Sequence, residues 1–230
     1  MTERLTFDAD TATEYDRGIR RTLPTYDGLV RLANTALRMH TKENAEVLVV
    51  GAGGGNELLE FAESNSAWSF TAADPSEPML KEARDKVQGR FGTGRVTYVA
   101  GSAADIRAEN LYDAASCLLV LHFIESDAAK LELLQEIRLR MKPGAPFVIA
   151  SMTGDRNDPS FDQLFGLWRQ SWIDRSSLSE AQVLEMEQTV RALSFVSPGA
   201  IEELLREAGF GRITRFFQTT FFSAWMCIAE

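Results

Sequence analysis

A glycine-rich turn stands between two regularly patterned segments in the stretch VLVVGAGGGNELLEF, residues 47–61. The turn reads Gly51-Ala52-Gly53-Gly54-Gly55. Glycine residues let the backbone approach a ligand closely and adopt positive φ, and the N-terminus of a following helix favours an anionic group. Strand-to-helix turns of this kind hold dinucleotides, nucleoside triphosphates or S-adenosylmethionine (SAM). The spacing must therefore decide among three kinds of site.

The spacing of the glycines argues against a dinucleotide site and against a phosphate loop. A dinucleotide fingerprint needs glycine at its first, third and sixth positions, and the sixth position counted from Gly51 is Asn56. A phosphate loop ends in Gly-Lys-Ser/Thr, and this turn has no lysine. Asp74 ends the next apolar segment, where a carboxylate can accept both hydroxyls of an adenosine ribose. Dinucleotide and SAM sites share that feature, and Asp74 could instead cap the helix that begins near Ser76.

Short apolar segments alternate with amphipathic ones along the chain. EVLVV, WSFTAAD, RVTYVAG, YDAASCLLVL and APFVIASM are typical of buried strands, so the alternation predicts a parallel sheet with helices on both faces. The final twenty residues read as two strands joined at Gln218 to Thr220, which must be antiparallel. The predicted fold is α/β, with a Rossmann-like, mostly parallel seven-stranded sheet that closes in a C-terminal antiparallel hairpin.

Two helical additions flank or interrupt this alternation. The segment 1–43 is predicted to be an N-terminal helical arm or lid, with Leu29, Leu32, Ala33, Ala36 and Leu37 on one apolar stripe. Residues 44–230 form the predicted ligand-binding domain, and about 155–196 read as an insertion of two helices without a strand between them.

Six motifs in one order carry a family resemblance: VLVVGAGGGNELL, AADPSEPML, VAGSAADI, YDAASCLLVLHFI, MKPGAPFVI, and LREAGF with its closing hairpin. Over residues 44–230 the chain resembles the class I SAM-dependent methyltransferases. The resemblance implies SAM as cofactor, S-adenosylhomocysteine as product, Asp74 on the ribose and Met79 on the adenine. Many relatives carry an acid where Ser102 stands, which would contact the amine of the adenine, so Asp105 could supply that contact here. The full implied cofactor set is Gly51, Ala52, Gly53, Gly55, Asp74, Pro75, Met79, Gly101, Ser102, Ala103, Asp105 and Leu119.

A narrower resemblance involves the segments EYDRGIRRTLPTYDGLVRL, TVRALSFVSPGAIEELLREAGF and RFFQTTFFSAWMCIA together with the inserted helices. These are similar to the carboxy-SAM synthase family, which takes part in making 5-oxyacetyl-uridine in tRNA, and to its methyltransferase relatives. That family uses a carboxylated SAM, whose extra carboxylate needs a cationic partner. Arg191 lies close to the corresponding position.

Methyl transfer is an in-line displacement in which the protein mainly aligns the reactants and sometimes supplies a base. His122 follows the fourth strand, at the sheet edge where ligands bind in open α/β folds, so it is the candidate base. A histidine packed beside the adenine or at the strand end is the alternative. Candidate acceptor contacts are Tyr15, Arg20, Arg21, Tyr26, Trp168, Arg169 and Arg191. Trp168 and Trp172 share one helical face, which is also typical of core or a dimer contact.

Composition limits the partners. The 230 residues carry a formal net charge of −9 and no basic block, which disfavours a nucleic-acid substrate and favours a small-molecule acceptor. No apolar run reaches membrane-spanning length, and the first residues lack the apolar core of a signal peptide, so we expect a cytoplasmic protein without membrane partners. Cys117 and Cys227 have no metal-ligand spacing and read as reduced core residues. The inserted helices and the aromatic final hairpin are compatible with a homodimer.

Three functional interpretations remain open from the sequence. The first is a SAM-dependent methyltransferase acting on an oxygen, nitrogen or carbon of a small molecule. The second is a carboxy-SAM synthase-like enzyme acting on SAM itself, which predicts that Arg191 faces the cofactor. The third is a non-catalytic SAM- or dinucleotide-binding module, which predicts no open space beside the reacting methyl group.

Overall fold

A computed structural model describes the backbone of residues 9–107 and 111–230 and the side chains from residue 15 onward. Residues 1–8 of the expected N-terminal arm lie outside this range. Within it, seven strands form one sheet in the order β3-β2-β1-β4-β5-β7-β6. The strands are β1 (Glu46–Val50), β2 (Ser69–Asp74), β3 (Val96–Ala100), β4 (Ala114–Leu118), β5 (Pro146–Met152), β6 (Phe210–Thr219) and β7 (Phe222–Ala229). The first five are parallel, and β7 runs antiparallel to both of its neighbours, which confirms the predicted fold class.

The helices of the described range are α1 (Ala9–Thr22), α2 (Tyr26–Arg38), α3 (Asn56–Ser64), α4 (Glu77–Phe91), α5 (Asp127–Leu139), α6 (Pro159–Arg175), α7 (Glu180–Arg191) and α8 (Pro198–Glu207). From α4 onward each helix begins after a serine or aspartate whose side chain accepts a backbone N–H of the first turn. Such caps satisfy donors that the helix itself leaves open. The helix α3 differs, since it begins after Gly55 at φ +78° with no side-chain cap.

The sheet is buried on both faces, as its continuous apolar strands predict. In β1, Val47 and Val49 belong to one core cluster, which also holds residues of α1, α2 and α6. Leu48 and Val50 belong to the opposite cluster, together with residues of α5 and α8. Neighbouring residues of one strand thus enter different cores, because side chains alternate across a sheet.

Three details differ from the sequence predictions. On α2, Leu32 is 47% exposed, and Val30 takes its place in the buried stripe. The final turn lies at Thr220 and Phe221 instead of residues 218–220, because the Phe221 side chain is buried. The fourth strand stops at Leu118, since the next residue, Leu119, has φ +63° and leaves the extended conformation.

Candidate active site

A cavity of about 980 Å³ lies at the carboxyl ends of the parallel strands. On the β2 and β3 side it is lined by Gly51, Gly53, Asp74, Met79 and Gly101. On the β5 side it is lined by Ile124, Arg156, Leu193, Ser194 and Phe195. Ligands of open α/β sheets bind at this edge. The cavity therefore combines the glycine turn with a second region that is spacious enough for another small molecule.

The glycines of the turn serve two different purposes. A Cβ atom on Gly51 would lie 2.2 Å from Val120 Cγ2, and one on Gly55 would lie 2.8 Å from Ala83 Cα, so both positions exclude larger residues through packing. Gly51 and Gly53 line the cavity, whereas Gly55 packs α3 against α4 and Ala52 is buried beside the turn. Neither Gly55 nor Ala52 lines the cavity, contrary to the expected cofactor contacts.

Asp74 is held by the backbone on both of its carboxylate oxygens. Oδ2 accepts the N–H of Gly53 at 2.8 Å, and Oδ1 accepts the N–H of Ser76 at 2.9 Å. Ser76 Oγ accepts the N–H of Met79 and therefore caps α4, so Asp74 is not the cap of that helix. Burial raises the pKa of Asp74, and the hydrogen bonds from Ser76 and Gly53 oppose the rise. Each oxygen retains a lone pair, so the carboxylate can accept hydroxyl groups of a ligand.

The loop after β3 divides its expected residues between cavity and core. Gly101 and Ser102 line the cavity with Pro75, whereas Ala103 is buried. Asp105 does not line the cavity, because its Oδ2 accepts the N–H of Ser102 at 2.8 Å and the Ser102 hydroxyl at 3.1 Å. These bonds lower the pKa of Asp105. The expected contact of Asp105 with a ligand is therefore replaced by a cap on its own turn.

His122 lines the cavity and is 2% exposed. Its Nδ1 lies 3.3 Å from the backbone nitrogen of Met152 and 3.3 Å from Ser151 Oγ, so buried polar groups surround this side of the ring. Burial lowers the pKa of His122 to about 3, and the positive charge of Lys130 acts in the same direction. A ring whose pKa lies that low takes up a proton only weakly at neutral pH. The low pKa and the burial of the ring disfavour His122 as a base and favour the alternative of a packed histidine.

Glu57 is a buried acid that the sequence did not single out. It lies in the first turn of α3, is 5% exposed, and its Oε1 accepts the hydroxyl of Ser116 at 2.7 Å. Burial raises the pKa of Glu57 to about 8; the Ser116 bond opposes this rise and the charge of Asp74 adds to it. An acid at the N-terminus of a helix is normally a favourable surface charge, so its burial could not be predicted from the sequence.

The α1 helix packs over the glycine turn through a polar chain. Asn56 Nδ2 donates to Asp16 Oδ1 at 2.6 Å, and Lys86 Nζ donates to Asn56 Oδ1 at 2.6 Å. Tyr15, the residue before Asp16, lines the cavity. Burial raises the pKa of Tyr15, and the charges of Glu57, Asp74 and Asp16 raise it further. The polar chain fixes the position of Tyr15 above the site.

The other N-terminal candidates lie elsewhere. Arg20 Nε donates to Asp27 Oδ1 at 3.0 Å, Arg20 also forms an ion pair with Asp16, and its guanidinium lies over the Tyr26 ring. Tyr26 is 6% exposed and belongs to the core, while Arg21 is exposed. None of Arg20, Arg21 and Tyr26 lines the cavity. Carboxylates hold Arg20, and packing holds Tyr26.

The candidates on the inserted helices also lie outside the cavity. Trp168 is 2% exposed, and its Nε1 donates to the carbonyl of Thr22 at 3.0 Å, so it joins α6 to the end of α1. Arg169 Nη1 donates to Glu187 Oε2 at 3.1 Å. Arg191 donates to Glu187 Oε1 at 2.8 Å and to Asp162 Oδ1 at 2.7 Å. Core packing and two acids thus occupy the three side chains that were expected to meet the substrate.

Residues 192–195, none of which was among the predicted site residues, form a wall of the cavity. Its Ser194 N–H donates to the carbonyl of His122 at 3.0 Å, and Ser194 Oγ donates to the carbonyl of Glu125 at 2.9 Å. The buried Lys130 donates to Ser194 Oγ at 2.7 Å. Arg156 was not among the predicted site residues either. It follows β5 by four residues, and its position near the carboxyl end of a strand could have indicated a ligand contact. The wall segment has no periodic pattern of its own.

Residues 47–144 match the family model described as a methyltransferase domain. The chain has the SAM-dependent methyltransferase fold. The expected likeness to carboxy-SAM synthases is confirmed: the carboxy-S-adenosyl-L-methionine synthase of Desulfotalea psychrophila is 25% identical over 237 residues, covering 98% of this chain and 92% of the relative. That of Dichelobacter nodosus is 23% identical over 226 residues, covering 96% of this chain and 91% of the relative.

A solved methyltransferase has the same fold at low sequence identity. Human N-acetylserotonin methyltransferase in complex with SAM aligns with a TM-score of 0.63 and 16% identity over 97% of this chain. This chain spans 57% of that longer chain. At such identity the likeness establishes the methyltransferase fold, while the reacting partner must be argued from the site.

The described residues of this methyltransferase fold include no group of three or more His, Cys, Asp or Glu side chains that could hold a metal ion. Cys117 and Cys227 are buried free thiols. Among the described residues, no helix combines the length and apolar character needed to cross a membrane.

Proposed function

We propose that this protein binds SAM and transfers its methyl group to a small-molecule acceptor. The observation that carries the proposal is the Asp74 carboxylate, which two backbone N–H groups fix at the wall of a cavity shared with Gly51 and Gly53. A fixed carboxylate with remaining lone pairs suits the two ribose hydroxyls of an adenosine. The methyltransferase domain match over the same strands supports SAM as the nucleoside concerned.

Each part of the cofactor has a suitable neighbour. Met79 and Leu119 offer apolar contact for the adenine, and the Ser102 hydroxyl lies at the same side of the cavity. Gly51 and Gly53 leave room for the methionine part. SAM supplies an electrophilic methyl group on a positively charged sulfur, and its loss leaves the neutral S-adenosylhomocysteine. The chain contributes alignment of the acceptor and exclusion of water, which can account for a large share of such a rate enhancement.

The cavity supports a small acceptor. Its volume of about 980 Å³ is at the upper end of the range for small-molecule sites, enough for a cofactor with a second compound. The net charge of −9 disfavours a nucleic-acid substrate. Since burial lowers the pKa of His122 to about 3, we infer that the acceptor loses its proton to solvent or reacts as a group that needs no strong base.

We extend the proposal to the N-terminal segment 1–43, whose helix α1 places Tyr15 over the cavity and is a suitable lid. We also propose a homodimer in the cytoplasm. Leu167 on α6 is 59% exposed and Leu184 on α7 is 45% exposed, and apolar side chains of this kind are common at subunit contacts. Gel filtration coupled to light scattering tests the oligomeric state.

A second candidate is carboxy-SAM synthase-like chemistry on SAM itself, which the similarity over nearly the whole chain favours. Against it, Arg191 is held by Glu187 and Asp162 and does not line the cavity. Incubation with SAM and prephenate, followed by mass spectrometry for carboxylated SAM, tests this candidate. Formation of that product would make it the function in place of methyl transfer.

Calorimetry with S-adenosylhomocysteine tests the cofactor assignment. We expect micromolar binding by the native protein and binding about 10- to 100-fold weaker for Asp74→Asn, because a hydrogen bond to a charged group contributes about 1.5–3 kcal/mol. Asp85→Asn is the control, since Asp85 is exposed on α4 and pairs only with Lys81 among the described residues. Binding of NADH alone would contradict the assignment, and binding of S-adenosylhomocysteine without transfer to any acceptor would favour a non-catalytic module.

A further inference from the structure

Arg156 is fixed at the β5 side of the cavity by four neighbours. Its Nη2 donates to the carbonyl of Arg191 at 2.6 Å and to the carbonyl of Leu193 at 2.7 Å. Its guanidinium carbon lies 5.8 Å from the Phe161 ring centre and 5.7 Å from the Phe195 ring centre. Two bonds and two aromatic faces hold the group in one place, although the residue is exposed. A cation fixed in this way loses little freedom when it binds a ligand.

No carboxylate of the described residues forms an ion pair with Arg156. Both acceptors of Nη2 are neutral carbonyls, and none of the ion pairs among those residues includes Arg156. By contrast, Arg191 pairs with two acids and Arg169 with one. The Nε–H and Nη1–H groups of Arg156 make no hydrogen bond within the described part of the chain, and a guanidinium stays charged at any physiological pH. Arg156 therefore presents unused donors and a full positive charge at the cavity.

The surroundings restrict what can satisfy these donors. Ile124, Leu133, Leu193 and Phe195 line the same region and are apolar, while the Thr189 and Ser194 side chains add hydroxyl groups. One positive charge is complementary to a monoanion, whereas a phosphate dianion would keep an excess negative charge. The region thus fits an apolar body that carries one carboxylate.

We propose that Arg156 binds a carboxylate of the methyl acceptor, so that the acceptors are small apolar carboxylic acids. That the ligand is a methyl acceptor rests on the proposed function, but carboxylate binding at Arg156 does not depend on methyl transfer. The alternative is that Arg156 serves only to clamp the wall segment through the two carbonyls. A clamp would affect charged and neutral ligands alike, and this difference makes the two roles separable.

Ligand-observed NMR with the full chain tests the proposal. The probes are phenylacetate, 3-phenylpropanoate and cinnamate, each paired with its neutral amide, and phenyl phosphate. We expect each carboxylate to bind about 10-fold more tightly than its amide, as one charge-assisted contact of a partly exposed arginine allows. Arg156→Gln should lower carboxylate affinity to that of the amide, and Arg156→Lys, which keeps the charge, should retain part of the preference. Arg175→Gln, an exposed arginine of α6 outside the cavity, is the control with the same change of net charge.

Each titration is run with and without saturating S-adenosylhomocysteine. Equal binding of acids and amides, absence of binding by every carboxylate, tighter binding of phenyl phosphate, or a preference that survives Arg156→Gln would each overturn the inference. If S-adenosylhomocysteine binds and the carboxylate preference is missing, the inference alone fails. If the preference is present and S-adenosylhomocysteine does not bind, the proposed function fails and the carboxylate site stands.

Discussion

Replacing the buried Glu57 by glutamine should change how the free energy of unfolding depends on pH. Burial raises the pKa of Glu57 from 4.5 to about 8, so the folded state holds a proton that the unfolded state has lost. Stability from this group is therefore fully present below pH 4.5 and is lost as pH rises through 8. The shift of about 3.5 units corresponds to about 5 kcal/mol over the whole interval.

The most informative window is narrower, because His122 acts in the opposite direction at lower pH. Its pKa is lowered from 6.5 to about 3, so its contribution is lost as pH falls below 6.5. Between pH 4.5 and 6.5 the two groups oppose each other, and above 6.5 the His122 contribution is constant. Glu57 alone then lowers the free energy of unfolding by about 2 kcal/mol between pH 6.5 and 8.5.

Urea unfolding at half-unit pH intervals from 6.5 to 8.5 measures this dependence. The native protein should lose about 2 kcal/mol across the series, and Glu57→Gln should be flat within error, since glutamine can still accept the Ser116 hydroxyl. Glu63→Gln, on the exposed side of the same helix, should keep the native slope. A native slope that persists in Glu57→Gln, or a native protein whose stability is constant in this window, would refute the assignment of a proton to Glu57.

Two further predictions concern packing and the state of the histidine. Gly51→Ala should destabilise the fold by about 1–3 kcal/mol more than Gly92→Ala. Both positions have positive φ, but only at Gly51 would the added methyl group meet a neighbour, Val120. Urea unfolding compares the two variants, and equal losses of stability would mean that Val120 moves aside. The low pKa of His122, about 3, predicts that its ring NMR signals stay constant between pH 5 and 8. The variant His40→Gln serves to assign the signals of the two histidines. A titration midpoint of His122 within that range would contradict the buried neutral ring.

Much of the fold follows from local patterns. The segment EVLVV became β1 with the predicted bounds, because a branched apolar run acts over a few residues. Asp74 was found for a similar reason, since an acid at the end of a parallel strand occupies the ligand-binding edge whatever the rest of the chain does.

The acceptor side of the cavity could not be predicted in this way. The expected contacts Arg169 and Arg191 are attractive by residue type, but Glu187 and Asp162 hold them, and the chain alone does not show which acid faces which arginine. His122 lies at the sheet edge, but the burial that lowers its pKa comes from elements far along the chain, such as the Met152 backbone 30 residues away. Functional roles are thus hard to predict where a distant neighbour determines the side chain's charge or proton.

The antiparallel strand β7 has a consequence for the order in which this protein can mature. All seven residues of β5 are buried, and β7 pairs with every one of them. Thr153, just after β5, bonds Ser223, which lies 70 residues further along the chain. Until residues 222–229 have been synthesised, the growing chain therefore carries an apolar sheet edge with open backbone donors and acceptors, the kind of surface that recruits chaperones or pairs with other nascent chains.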